Sequence, residues 1–220
     1  MEAKDKQKFH LIFVVAGAPG AGKGTLCKRL SQEHGFTHIS VGDLLRQLIA
    51  KHEADDTIRD YVQRGEPLPM EWLWPILRAR LDECTPGRPI LLDGFPRRLD
   101  QAVQFEEACG EPSTVLFFTC PHEVAKKRVL ERKLGRPGDT ADIFERRYKE
   151  FRQLNPDVLD HYSSSKGSGK LVEVDTSGAT ESSYEKLLKA LRQRQEIEEL
   201  VGAQAQTASG GSDSGLPQRF

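Results

Sequence analysis

The chain has no apolar stretch of the roughly 18 residues needed to cross a bilayer. It also has almost no net charge. Lys and Arg number 32 against 33 Asp and Glu, for −1 overall. That balance argues against bulk nucleic-acid or polybasic membrane binding, which need a strongly cationic surface. Cysteine is scarce: Cys27, Cys84, Cys109 and Cys120 are the four present, without C-x-x-C spacing or nearby metal-ligand partners. Reduced thiols are expected rather than a disulfide framework. His10, His34, His38, His52, His122 and His161 likewise lack ligand spacing, so a zinc site is not expected. Met1–Lys8 is polar with no apolar core, so no signal peptide is expected, and the compartment read from this is the cytoplasm, with the nucleus as a second location. No internal repeat is present.

What is there is a glycine-rich loop after a β-branched apolar run, VVAGAPGAGKGT over residues 14–25. Gly17, Gly20, Gly22 and Gly24 allow a tight turn in which successive backbone N–H groups converge on an anion. Lys23 adds a full positive charge, and the chain then enters a helix whose N-terminus favours phosphate. Gly17 to Lys23 fits the P-loop spacing G-x-x-x-x-G-K, but Gly24 stands where the general pattern has Ser or Thr, and the hydroxyl arrives at Thr25. This variant, with Pro19 inside it, points to small phosphotransferases rather than to switch GTPases.

With 220 residues, the length fits one domain of ordinary to large size. Apolar runs at 9–16, 36–40, 90–92, 115–119 and 171–174 read as buried strands. Helical patterns at 26–34, 43–52, 71–83, 102–108 and 123–134 alternate with them. Later one-sided periods follow at Phe144, Tyr148 and Phe151, then Tyr184, Leu187, Leu188 and Leu191. Alternation of this kind implies right-handed crossovers and a parallel sheet covered on both faces. The fold class is therefore α/β, a P-loop three-layer fold with five parallel strands. Pro75 is expected to kink or restart its helix. Residues 201–220, rich in Gly, Ser, Ala and Gln, read as a disordered tail after a domain spanning 1–200.

A second site stands in Leu91-Leu92-Asp93-Gly94-Phe95-Pro96-Arg97. An aspartate closing an apolar parallel strand emerges at the carboxyl edge, where such folds bind ligands. There it is placed to hold a water of a Mg²⁺ ion bridging nucleotide phosphates. Gly94 and Pro96 make a sharp exit, and Arg97 follows as a bidentate phosphate clamp.

Taken in order from about Phe9 to about Leu191, these segments resemble the nucleoside monophosphate kinases, the adenylate and UMP/CMP kinases. GAPGAGKGT resembles their phosphate loop. HISVGDLLR resembles the helix start that carries an acceptor-phosphate arginine, and GEPLP the loop lining the acceptor base. DGFPRRLDQ, LERKLGRPGDTADIFERR and VDTSGAT resemble the family's metal and acceptor segment, its short lid, and its donor-adenine loop. VLFFTCPHEVAKKRVLER, together with DGFPRRLDQAVQFE, looks most like the eukaryotic UMP/CMP branch.

The resemblance implies ATP contacts at Gly20, Ala21, Gly22, Lys23, Gly24, Thr25, Arg132 and Gly178. It implies acceptor contacts at Ser40, Arg46, Leu68, Gly94, Arg97, Gln101, Arg136 and Arg147, and a Mg²⁺ ion held through water by Asp93. Lys23, Arg97, Arg132, Arg136 and Arg147 would carry catalysis. A helical acceptor insertion at about 40–70 and a lid at about 133–142 would close over the site. The expected reaction is ATP·Mg²⁺ plus a nucleoside monophosphate, UMP or CMP before AMP, giving ADP and a nucleoside diphosphate. A monomer acting on these two substrates is expected, with neither nucleic acid nor membrane as partner.

The arginines make chemical sense without the resemblance, because phosphoryl transfer chiefly requires in-line positioning and charge neutralisation. Arg128 shares a helix face with Arg132, but a charged face of this kind reads as solvated. Arg98, Lys133 and Arg146 read the same way. Three departures stand out. The lid keeps only Asp139 of the acidic pair that relatives show. Val41 stands where adenylate kinases place Thr and UMP/CMP kinases Ala, and is expected to narrow the acceptor pocket against purines. Trp72 and Trp74 make the start of their helix bulky, as cover or as a base contact. A nucleotide-binding protein whose altered lid has lost turnover is the alternative from another class.

Overall fold

The computed structural model describes residues 12–132, 139–163 and 167–194. Among the described residues five strands form one sheet: β1 (Ile12–Gly17), β2 (Thr37–Ser40), β3 (Ile90–Asp93), β4 (Thr114–Thr119) and β5 (Leu171–Asp175). Their order is β2-β3-β1-β4-β5, and every pairing is parallel. From β1 the chain crosses to the edge strand β2, returns to β3 beside β1 and then passes β1 to β4 and β5, so the connections leaving β1 and β4 run in opposite directions, the place where open α/β sheets bind ligands. Register carries the argument further. Val15 and Ser40 both pair with Asp93, and Gly17 pairs with Phe118. The ends of β1, β2 and β3 thus deliver Gly17, Ser40 and Asp93 to one edge.

Helices α1 (Lys23–His34) and α8 (Thr180–Arg192) cover one face. Their Leu26, Leu30, Leu187 and Leu191 meet Leu91, Leu116 and Phe118 of the sheet in one apolar cluster. The other face is covered by α2 (Val41–Ala50), α3 (Asp56–Arg64), α4 (Met70–Asp82), α5 (Leu99–Cys109) and α7 (Ala141–Tyr162). There Phe95 and Phe105 meet edge-to-face with centroids 5.3 Å apart. The remaining helix, α6 (His122–Glu131), buries Ala125 and Val129 against Phe144. The expected strands and most expected helices fall where periodicity put them. Residues 9–11 of the first expected strand, the end of the 123–134 helix pattern and the 201–220 tail lie outside the described residues.

Two local expectations change. The helix α4 runs without interruption through Pro75. Pro75 is its sixth residue, so the proline costs one early backbone hydrogen bond while buried Leu73, Leu77 and Leu81 hold the rest. The helix α3 was not among the expected helices, although Ile58, Tyr61 and Val62 recur at i, i+3 and i+4 and pack on the apolar cluster. Its ends are set by the Asp55 carboxylate, which accepts the Thr57 N–H at 2.8 Å, and by Gly65 at φ 76°.

Candidate active site

The carboxyl edge of the sheet opens into a cavity of about 1020 Å³. That lies at the upper end of the roughly 300–1,000 Å³ typical of small-molecule sites, room for more than one ligand. The phosphate loop forms its floor. Gly20 sits at φ 83°, and a Cβ there would come within 2.2 Å of the Ala125 carbonyl oxygen, so glycine is required both by conformation and by space. Gly22 has the same φ as N-cap of α1 and faces open space, so there the requirement is conformational alone. Ala21 closes a turn onto the Ala18 carbonyl at 3.1 Å. Lys23 donates to the carbonyl oxygens of Gly17 at 2.6 Å and Ala18 at 2.8 Å. Its enclosure lowers the ammonium pKa to about 8, against the opposing pull of Asp93. Gly24 and Thr25 also line the cavity.

Above this floor stand arginines from four elements. Arg46 of α2 is paired to Asp43, one turn back on the helix that Ser40 caps. Arg97, in the exit from β3, donates to the Gly94 and Gly65 carbonyls, each at 3.4 Å. Arg147 of α7 lays its stem against Gly65, whose φ of 76° disfavours any side chain and where a Cβ would come within 3.0 Å of that stem. Gly65 is therefore the seat on which two arginines meet. Burial lowers both guanidinium pKa values; neighbouring Arg97, Arg132 and Arg46 help bring Arg147 to about 10. Arg132, at the end of α6, is paired with Asp139, so the residues on either side of 133–138 are tied together. Arg136 lies outside the described residues, as does most of the expected lid.

Asp93 is 6% exposed and lines the cavity beside Gly94, which turns the chain at φ 78° before a cis Phe95–Pro96 peptide. Its carboxylate meets His38 Nε2 at 3.4 Å. No group of three potential metal-ligating side chains occurs among the described residues. A lone carboxylate beside a phosphate loop suits Mg²⁺, which keeps most of its waters and takes further oxygens from substrate phosphates. The residues present thus fit that ion.

Gln101 and Leu68 are placed behind Arg97 rather than on the open cavity wall, at 2% and 3% exposure. The Gln101 amide accepts the Arg97 N–H at 2.8 Å and donates to the Leu68 carbonyl at 2.9 Å. It retains one further N–H and one lone pair. Gly178 is held through its carbonyl oxygen, which accepts from Arg128 at 2.5 Å.

That last contact corrects the solvated reading of Arg128. Its guanidinium also takes the Thr176 carbonyl at 2.7 Å and the Ser177 carbonyl at 3.3 Å, so it gathers the loop after β5 onto the cavity wall. Helical spacing showed only a shared face with Arg132; a partner 48 residues away leaves no local signal. Val41 is corrected too. It is 4% exposed and sits in the apolar cluster with Ile39, Leu45 and Leu68, not on the cavity wall. Trp74 meets Phe105 at 6.3 Å in the core, and Trp72 does not line the cavity. His38 and Glu150 line it without having been singled out.

The family model for adenylate kinase matches residues 15–167. The chain belongs to the adenylate kinase family. It is 35% identical over 209 residues to a probable UMP-CMP kinase 2 of Arabidopsis thaliana, covering 94% of this chain and 79% of that protein. A uridylate kinase of Saccharomyces cerevisiae is 33% identical over 82% of this chain and 90% of its own length. An adenylate kinase 1 of Schistosoma mansoni is also 33% identical, over 82% and 91% respectively. No helix among the described residues is long and apolar enough to cross a membrane.

Proposed function

We propose that this nucleoside monophosphate kinase transfers the γ-phosphoryl of ATP·Mg²⁺ directly to UMP or CMP. The observation that carries the reading is the meeting of Lys23, Arg46, Arg97, Arg132 and Arg147 around one cavity at the carboxyl edge of the sheet. Five cations from separate elements on one cavity answer the charge of two phosphorylated substrates. The loop Gly20–Thr25 cradles the donor phosphates, with Lys23 leaving the Gly17 and Ala18 carbonyls to meet them. Arg128 and the 176–178 loop form the donor-base wall, with Gly178 at its edge. Arg97 and Arg147, seated on Gly65, take the acceptor phosphate together with Arg46 and Ser40, beside the Gly94 turn. Arg132 neutralises charge as transfer proceeds, and Arg136 joins it from the lid.

Gln101, fixed by Arg97 and Leu68, offers its free N–H and lone pair to the acceptor base. Asp93 would hold Mg²⁺ through water, and the ion when bound would neutralise phosphate charge and orient the donor. Residues 40–70 and the lid close over this arrangement. The acceptor class is supported by the relatives named for UMP-CMP and uridylate kinase activity. Release of ADP from ATP in the presence of AMP, UMP, CMP, dCMP and GMP tests it. UMP or CMP should give the highest kcat/KM. Release no faster than ATP hydrolysis with every acceptor would favour a nucleotide-binding protein without turnover.

A further inference from the structure

Among the described residues three carboxylates line the cavity, those of Asp43, Asp93 and Glu150. Asp43 is paired to Arg46, and Asp93 stands at the proposed metal position. Glu150 is accounted for by neither role. It lies three residues after Arg147 and one before Phe151 on the stripe of α7 that faces the cavity, with Leu154 and Asn155 continuing the same face. It is half-buried, and among the described residues it forms no ion pair, although it feels both Arg97 and Arg147 electrostatically. Arg97 in turn has Glu150 as its strongest favourable charge, ahead of Asp93.

The acid therefore stands among the arginines assigned to the acceptor phosphate without being bound to any of them. Glu66, on the loop after α3, adds a second negative charge, and Arg146 a further positive one from the same helix as Glu150. Desolvation is the main effect on the Glu150 carboxyl and raises its pKa.

We propose that Glu150 is a specificity-determining residue of the acceptor site, whose negative charge opposes the acceptor phosphate at Arg97 and Arg147 and so weakens acceptor binding relative to donor binding. Glu150 pairs with neither arginine in the free protein, and an incoming phosphate would enter beside its charge. The donor phosphates, in the Gly20–Thr25 loop, are a separate group. The inference rests on the assignment of Arg97 and Arg147 to the acceptor.

Steady-state kinetics of Glu150→Gln and Glu150→Ala, varying acceptor and ATP separately, test it. Both neutral variants should lower the acceptor KM by about three- to tenfold at low salt, as expected for removing one nearby charge in a partly solvated site. The KM for ATP should stay within about twofold, and the acceptor effect should shrink as salt screens it. Glu150→Asp should keep the wild-type acceptor KM within about twofold. An unchanged acceptor KM in both neutral variants, a rise in it, or equal shifts for ATP and acceptor would overturn the inference while leaving the kinase reading intact. Absence of acceptor-dependent ADP release from the wild-type protein would instead remove the kinase reading itself.

Discussion

The Lys23 ammonium donates to the Gly17 carbonyl oxygen at 2.6 Å, so the cation meant for a phosphate is held by the rim of its own loop. In the proposed reaction, binding would exchange the Gly17 and Ala18 carbonyls for phosphate oxygens. Lys23→Ala should leave the fold intact, because the side chain contributes little to either apolar cluster. It should cut kcat/KM on the order of 10²-fold or more through loss of charge stabilisation. A purified variant with near-wild-type kcat would take Lys23 out of the mechanism.

The same lysine sets a pH dependence. Its pKa falls from 10.5 to about 8 on folding, chiefly through desolvation. Between those values the unfolded chain holds the proton and the folded chain does not, so this group makes stability rise with pH there, and its cost is fully present below about pH 8. Phosphate pulls the other way by favouring the protonated form. ATP affinity should therefore fall as pH rises through about 8, and Lys23→Ala should flatten that slope. Calorimetric Kd values across the range decide it; a flat wild-type profile would contradict the assignment.

Asp93→Asn keeps the shape of the side chain but removes the charge that orders a hydrated cation. Turnover should fall more than ATP binding does, and the Mg²⁺ concentration giving half-maximal rate should rise. Wild-type turnover that persists unchanged in excess EDTA would show that no divalent ion is needed.

Arg128→Ala should release the carbonyls of Thr176, Ser177 and Gly178 that now share one guanidinium. Loss of that clamp should raise the ATP KM about tenfold while the acceptor KM moves little, since charged hydrogen bonds of this kind each contribute roughly 1.5–3 kcal/mol. Equal effects on both substrates would mean that Arg128 supports the whole site rather than its donor wall.

Much of this arrangement was legible from local order. Strand, glycine loop and helix follow one another within residues 12–34, so backbone geometry alone dictates the phosphate loop. Asp93 closes an apolar strand, and strand parity with register places it at the edge. Arg128 was not legible, because its partners lie in a loop about 50 residues away and its own helix face looks solvated. Val41 was misread for a related reason. Its position in HISVGDLLR fixes the helix start, but which way that first helical residue points is decided by the packing of α2 on α3 and α4. Glu150 required the cavity itself, since nothing in its spacing distinguishes it from the exposed Lys149.

If Gln101 meets the acceptor base as proposed, base choice turns on Gln101 and on the apolar residues packed around it. Gln101 has one N–H and one lone pair left after Arg97 and Leu68 are served, and uracil, cytosine and adenine can each pair with such an edge. Space then discriminates. Gln101 is 2% exposed, with Leu68 at 3% and Phe95 at 1%, so a base must displace the 65–69 loop to reach it, and a single ring needs less displacement than two. UMP or CMP should exceed AMP in kcat/KM by roughly tenfold, the scale on which shape in an apolar pocket discriminates. Val41→Thr would put a hydroxyl among Ile39, Leu45 and Leu68. It should cost about 1–3 kcal/mol of stability in denaturant unfolding and leave the acceptor ratio within about twofold. A variant that folds normally and shifts toward AMP would put residue 41 on the base after all, and AMP used as well as UMP by the unmodified protein would reverse the acceptor assignment.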